Sequence, residues 1–333
     1  MKQFIVVVYF CLLCSIANAQ KKQNVYFFTR DEKEVNTKDS ANFARIILEP
    51  DSGETNFVLQ EYYANGKRKT VGKVSAFEPR LKYEGVIMRF DSLGKRAEIT
   101  TYEKGVPQGM SYHYFPDGKL HKQVEYLPYP SSLPLSMPGV KLSEIPFNID
   151  SKLMYYADSS GKVHVENGNG HLVEKTRLPS GQRIEEGHYK DGVKHGIWKG
   201  AENTSGTSFV ENYAMGKLIS GETTKEGIKY QYTEKETFPV FKGGMPKFYE
   251  YLAYSVRYPS DAAKNSREGT VIVIYTVERD GRLGEVEVKN SVYPSIDEEA
   301  KRVVKASPKW IPAMMRGVPV RVKYSVPIKF SLP

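Results

Sequence analysis

Cysteine is nearly absent from this chain. Its 333 residues include two, Cys11 and Cys14, and none beyond. Past the N-terminal segment neither a disulfide nor a thiolate metal site can form, so stability there rests on core burial. Histidine is also sparse. All six lie before residue 196, with His164/His171 and His188/His195 seven apart and His113/His121 eight apart. None shows the close spacing of a metal site, and they read as half-exposed strand residues. No Gly-x-Ser-x-Gly elbow occurs. "GNGHLV" (Gly168 to Val173) has no helix pattern after it and is a turn, not a phosphate loop. The adjacent carboxylates Glu185-Glu186 and Glu298-Glu299 face apart and default to the surface. Trp198 in "GIWKG" reads as a core plug between repeats. No catalytic constellation emerges: no enzyme activity, cofactor, metal or small-molecule substrate is expected.

Long apolar runs are missing as well. The longest, Phe4 to Leu13 in "MKQFIVVVYFCLLCSIANA", is too short to span a bilayer comfortably. Lys2 precedes it and Ala17-Asn18-Ala19 follows as an A-x-A pattern, so residues 1–19 are expected to be a secretory signal peptide cleaved after Ala19. An uncleaved signal anchor is the competing reading. A lipid anchor on Cys14 fits less well, because Leu13 stands where a small residue is expected. Nor is there a run of five basic residues, although the net charge is +9. Between Phe238 and Pro333 there are 16 Lys and Arg against 10 Asp and Glu, which places +6 of that charge there. Spread singly, it describes a solvated surface with a bias towards acidic partners, not a nucleic-acid site.

What the chain does have is aromatics, 12% of it with 23 Tyr. That level favours half-buried sheet surfaces. Two regions resemble each other: residues 20–126 with "YYANGKRKTVG", "FDSLGK", "YEKGVPQG" and "YFPDGKLHK", and residues 151–235 with "ADSSGKVHVENGNG", "GHYKDGVKHGIWKG" and "NYAMGKLISG". Gly94 to Gly118 and Gly192 to Gly216 are both 24 residues apart, and Tyr-x-x-Gly with a second Gly four residues on occurs at Gly105/Gly109 and Gly192/Gly196. Asn65-Gly66, Asp117-Gly118 and Asp191-Gly192 are hairpin-turn dipeptides. A lone hairpin cannot bury its face, so such units stack into an extended sheet. The pattern resembles MORN-type repeats in the variant of exported bacterial proteins, which implies a scaffold or interaction surface. A proline-dense stretch at 127–150 reads as a linker.

From Phe238 the pattern changes. Met245, Phe248, Tyr249, Leu252 and Val256 recur at helical spacing, and Pro259 stops that helix. "GTVIVIYTVERDGRLGEVEVKN" reads as two strands around an Asp280-Gly281 turn. "SIDEEAKRVVKAS" reads as a helix with Ser295 and Glu298 as a capping box, and Ile296, Ala300, Val303 and Val304 as its apolar face. Trp310 in "SPKWIP" reads as a core anchor. In "GVPVRVKYSVPIKFSLP" apolar residues alternate without a break from Val318 to Leu332, which reads as a single strand. Proline has no N–H, so Pro319 and Pro327 share one side, and that side is the free edge. The edge would offer the backbone of Arg321, Lys323 and Ser325 to an incoming strand, with the two cations favouring an acidic peptide. The same Pro, Arg and Lys could instead serve to repel pairing. The fold expected is mainly β: repeated hairpins, then an α+β domain at 238–333 ordered helix, strand, strand, helix, strand.

"YPSDA", "GTVIVIYTVERDGRL", "VVKASPKWIPA" and "GVPVRVKYSVPIKF" resemble the C-terminal domain of TonB-family energy transducers, with every element in order. The resemblance implies a periplasmic, non-catalytic domain that grips an extended N-terminal segment of outer-membrane TonB-dependent receptors, in support of energy-dependent transport. Carried to this chain, the peptide-binding residues are Arg257, Tyr258, Pro259, Val320, Arg321, Val322, Lys323, Tyr324 and Ser325. Arg257 stands where the best-known members have Gln. A proton-driven inner-membrane motor is the further partner implied, through an uncleaved N-terminal helix and a Pro/Lys spacer. Here the apolar segment looks cleavable and β-repeats follow it. The alternative is an envelope scaffold whose repeats bind a protein or glycan, without energy transduction.

Overall fold

The computed structural model describes residues 23–78, 80–128, 150–178 and 181–332. The expected signal peptide and most of the proline-dense stretch lie outside them. The chain divides into two compact units, the first ending at Glu166 and the second starting at Asn167.

The first unit is antiparallel sheet. Its strands are β1 (Gln23–Phe28), β2 (Glu34–Val35), β3 (Phe43–Leu48), β4 (Phe57–Tyr63), β5 (Arg68–Ala76), β6 (Lys82–Phe90), β7 (Arg96–Glu103), β8 (Val106–Tyr114), β9 (Leu120–Tyr126), β10 (Ser151–Ala157) and β11 (Val163–Glu166). From β3 to β11 each strand pairs with the next. Strands β9 and β10 pair directly, and Leu127 N–H donates to the Asp150 carbonyl at 2.9 Å. The two ends of the proline-dense stretch therefore meet in one sheet.

The hairpins follow their turn dipeptides. At Asn65-Gly66 only the glycine is left-handed, φ 78°, and the Asn65 side-chain oxygen accepts the Lys67 N–H at 3.0 Å. At Asp191-Gly192 both residues are left-handed, φ 50° and 82°, the geometry of a two-residue hairpin turn.

The second unit continues with β12 (Asn169–Leu178), β13 (Gly181–Lys190), β14 (Val193–Glu202), β15 (Thr207–Ala214), β16 (Lys217–Lys225) and β17 (Ile228–Tyr232), each paired with the next. Here large rings lie flat over glycines on the neighbouring strand. A Cβ on Gly187 would fall 2.4 Å from the Trp198 ring, and one on Gly200 2.2 Å from Phe209. Trp198, 1% exposed, is indeed the core plug that its repeat suggested.

A short strand, β18 (Glu236–Thr237), leads into α1 (Gly244–Ser255), α2 (Ser260–Lys264), β19 (Gly269–Val277), β20 (Leu283–Asn290), α3 (Pro294–Lys305), β21 (Ala313–Met315), β22 (Val318–Val320) and β23 (Val322–Phe330). Strands β20, β19 and β23 form one three-stranded sheet, and β18, β21 and β22 form another. One face of the first is covered by the helices. Val271, Val273, Tyr275 and Val277 of β19 and Val326, Ile328 and Phe330 of β23 share a core with Phe248, Leu252, Ile296, Ala300, Val303, Val304 and Trp310. The expected order helix, strand, strand, helix, strand is present as α1, β19, β20, α3 and β23, and the short α2, β18, β21 and β22 are additions to it.

Two local expectations are corrected. The alternation from Val318 is not a single strand: it breaks at Arg321. Val320 pairs with Ala313, whereas Val322 pairs with Val277 in the other sheet, so the chain changes sheets while its face alternation continues. Ser295 does not cap α3. The helix starts one residue earlier, with Pro294 in its first turn, and the Asp297 carboxylate accepts the Val292 N–H at 3.1 Å in place of a capping box.

Candidate peptide-binding edge

Strand β23 pairs along its whole length with β19, from Val322↔Val277 to Phe330↔Gly269, and has no partner on its other side among the described residues. Pro327 stands opposite Ile272. Lacking an N–H, it cannot join a pair that exchanges two hydrogen bonds. In an antiparallel ladder such pairs alternate with pairs whose backbone groups turn outward. Pro327 therefore fixes the phase: Val322, Tyr324, Val326 and Ile328 bond to β19, while Lys323, Ser325 and Lys329 turn their N–H and C=O to the open side. Lys323, Ser325, Pro327 and Lys329 are all exposed. This is a bare strand edge of alternating donors and acceptors, interrupted once by proline.

The residues expected to line the site are spread across this edge and its surroundings. Lys323 and Ser325 lie on it. Val322 and Tyr324 are half-buried beneath it, the Tyr324 ring 6.0 Å from Tyr275 and 6.2 Å from Trp310. Val320 belongs to the small second sheet. Tyr258 reaches the far end of β23, its ring edge-on to Phe330 at 5.9 Å, and its hydroxyl donates to the Arg267 carbonyl. Pro259 is the N-cap of α2, its carbonyl accepting the Ala263 N–H at 3.0 Å. Arg257 turns to α3, where its N–H donates to Glu299 Oε1 at 2.6 Å.

Arg321 departs from its expected role. It sits at the break between β22 and β23, and its guanidinium is taken by Glu278 at 2.9 Å and Glu285 at 2.5 Å. Lys323 Nζ lies 3.9 Å from the same Glu285. Both carboxylates hold Arg321 above its ordinary pKa, and Arg321 in turn holds Glu285 below the usual range. The charge expected to attract an acidic peptide is thus largely answered inside the domain. Glu278 and Glu285 carry no pattern that marks them in sequence: only the sheet register brings β19, β20 and β23 together here.

A second feature escaped the sequence. The turn between β21 and β22 carries Arg316, 5% exposed, in the left-handed region at φ 47°. Its guanidinium donates to Glu185 Oε1 at 2.5 Å and Glu211 Oε1 at 2.8 Å, and lies 3.8 Å from the centre of the Phe209 ring. Glu185, expected at the surface, is 8% exposed because this arginine meets it. The C-terminal domain is thereby pinned to the repeat sheet of the same unit.

Residues 254–332 match the family model described as Gram-negative bacterial TonB protein C-terminal. The match supports a TonB C-terminal domain in this part of the chain, a non-catalytic domain type with a general role in energy transduction for transport. Domains of this family generally interact with outer-membrane receptors. The matched span is well under half of the chain and does not include the hairpin repeats. No curated protein matches the chain.

Proposed function

We propose that this protein acts in the periplasm as a TonB-like peptide grip, taking up the extended N-terminal segment of outer-membrane receptors as an added strand on β23. The observation that carries this reading is the one-sided pairing of β23, with Pro327 facing the open edge. In strand addition, main-chain bonds give affinity and side-chain contacts give selectivity. Lys323, Ser325 and Lys329 supply the main-chain groups. Tyr258, packed edge-on against the buried Phe330, supplies an aromatic stop at one end. The Arg321–Glu278–Glu285 cluster bounds the other end, so the usable edge is shorter than the sequence pattern suggests. The repeats then serve as the mount on which this edge is held.

Calorimetry of the full chain against receptor N-terminal peptides tests the reading. Lys323→Pro removes one outward N–H while leaving the ladder to β19 intact, and is expected to abolish binding in a folded protein. Tyr324→Pro removes an inward donor and is expected to unfold the domain. Binding that survives Lys323→Pro would move the site off this edge. No binding by the folded wild-type chain to any receptor peptide would favour the scaffold reading, with the repeats as the functional surface.

A further inference from the structure

The first unit contains a cleft of about 970 Å³ beside β1, in the size range of small-ligand sites. Its floor is aromatic. The Tyr26 and Phe77 rings lie 6.4 Å apart, tilted by 52°, and Phe77 is braced edge-on by Phe57 at 5.1 Å. Phe28 stacks on Phe43 at 5.2 Å behind them. Tyr26, Phe57 and Phe77 pack against a core of Ile47, Leu59 and Val74, so this part of the floor is preformed.

The rim is acidic. Glu32, Glu34 and Glu78 line the cleft and are exposed. Glu78 accepts the Tyr26 hydroxyl at 3.3 Å. Two arginines also border it. Arg45 shares the buried Glu61 with Lys69 and lies 4.4 Å over the Phe28 ring, so among the described lining residues two arginines stand against three carboxylates, and the Tyr26 and Phe77 faces lie on the side of Glu34 and Glu78. On a chain whose net charge is +9, this is a local patch of the opposite sign laid over aromatic faces. A cation over an aromatic face gains from the ring quadrupole, and nearby carboxylates add to that attraction.

We propose that this cleft binds a basic peptide segment, with a lysine or arginine side chain laid across Tyr26 and Phe77 and its charge met by Glu34 and Glu78. The cleft is larger than one side chain needs, so the backbone on either side has room. The proposal is independent of the β23 edge, which lies in the other unit.

The test is fluorescence anisotropy of labelled hexalysine with the full chain at low salt. The probes for comparison are hexaglutamate and neutral oligosaccharides such as chitohexaose. Hexalysine is expected to bind in spite of the protein's positive charge, and to weaken at least about tenfold in Glu34→Gln/Glu78→Gln and in raised salt. Phe77→Leu, which keeps the floor apolar but removes the ring, is expected to weaken binding without changing its salt dependence. Glu103→Gln, an exposed carboxylate elsewhere in the unit, serves as the control that leaves binding unchanged. The proposal is overturned if folded wild-type protein fails to bind hexalysine, or if the double variant binds as well as wild type. It is equally overturned if a neutral oligosaccharide binds in hexalysine's place and depends on Phe77, which would make the cleft a glycan site.

Discussion

Glu61 in the first unit and Glu211 in the second hold the same place in their repeats, two residues before the tyrosine of a Tyr-x-x-Gly turn. Both are buried, 1% and 0% exposed. A buried carboxylate must be paired or neutralised, and the two sheets solve this differently. Glu61 finds its partners in its own sheet. Arg45 stands directly opposite on β3, and Lys69 Nζ reaches from β5 at 2.8 Å. Glu211 has Trp198 opposite on one side and Gly221 on the other, neither of them a cation. Its charge is met by Lys235 at 3.4 Å, just past the repeats, and by Arg316 from the C-terminal domain, with Tyr213 and Tyr232 donating hydroxyls at 2.7 and 2.8 Å. One hairpin array is electrostatically complete; the other is completed by the domain that carries the candidate binding edge.

The contrast breaks most sharply at Arg316. Arg316→Met leaves Glu211 and Glu185 with weakened compensation in a buried site, and is expected to destabilise the second unit by about 3–5 kcal/mol. Both tryptophans of the chain, Trp198 and Trp310, lie in this unit, so tryptophan fluorescence during urea unfolding reports on it alone. The midpoint is expected to fall substantially, and adding Glu211→Gln is expected to recover part of the loss. A midpoint within error of wild type would show that Arg316 does not hold the domain to the sheet.

Next in size is the response to acid. Burial pushes Glu211 up, but Arg316, Lys235 and the Tyr213 hydroxyl outweigh it and hold the carboxyl at about 2. A depressed carboxylate pKa gives stability that is present above the unfolded value, near 4.5, and is lost as pH falls through the folded value. Between pH 4.5 and 2 the second unit should lose about 3 kcal/mol from this group alone. Acid titration followed by tryptophan fluorescence checks this, and Glu211→Gln is expected to flatten the acid limb.

The helices and strands of the C-terminal domain were legible because each has one apolar face at the period of its structure, as in Ile296, Ala300, Val303 and Val304 of α3. The hairpins were legible from their turn dipeptides. The open edge was legible from Pro327, since a missing N–H is a backbone property that sequence states outright; Pro319, read with it on one strand, instead lies in β22 opposite Met314 in the other sheet. What sequence hides is the partner of a charge. Arg316 and Arg321 are both single cations in strand-rich stretches, five residues apart, yet one is buried against β13 and β15 and the other is tied down on the surface. The break at Arg321 was hidden for a related reason: alternation continues when a strand leaves one sheet for another. The cleft beside β1 could not be foreseen either, because it is closed by residues some fifty positions apart.

A smaller effect is expected at Arg45. Arg45→Met removes one of the two cations on Glu61, but Lys69 remains, and Arg45 is more exposed than Arg316 at 12% against 7% for the side chain. A loss of about 1–3 kcal/mol is expected, in the range for a buried group that keeps part of its hydrogen bonding. Because no tryptophan lies in the first unit, hydrogen exchange of the β3–β5 amides is the measurement. If Arg45→Met proves as damaging as Arg316→Met, self-sufficiency of the first sheet does not follow from its pairing.

The smallest effect isolates burial from chemistry. Arg321 holds two glutamates at 2.9 and 2.5 Å, nearly the distances of Arg316, but it is 46% exposed. Exposed pairs contribute little, because water and salt already stabilise the separated ions. Arg321→Ala is therefore expected to move the tryptophan-detected urea midpoint only slightly, and that shift should vanish at about 1 M salt, where the screening length falls to about 3 Å. The Arg316→Met loss should persist at the same salt, because buried ions are little screened. If both shifts vanish together, the Arg316 cluster is open to solvent and the second unit is no more dependent on its C-terminal domain than the first unit is on anything outside its own sheet.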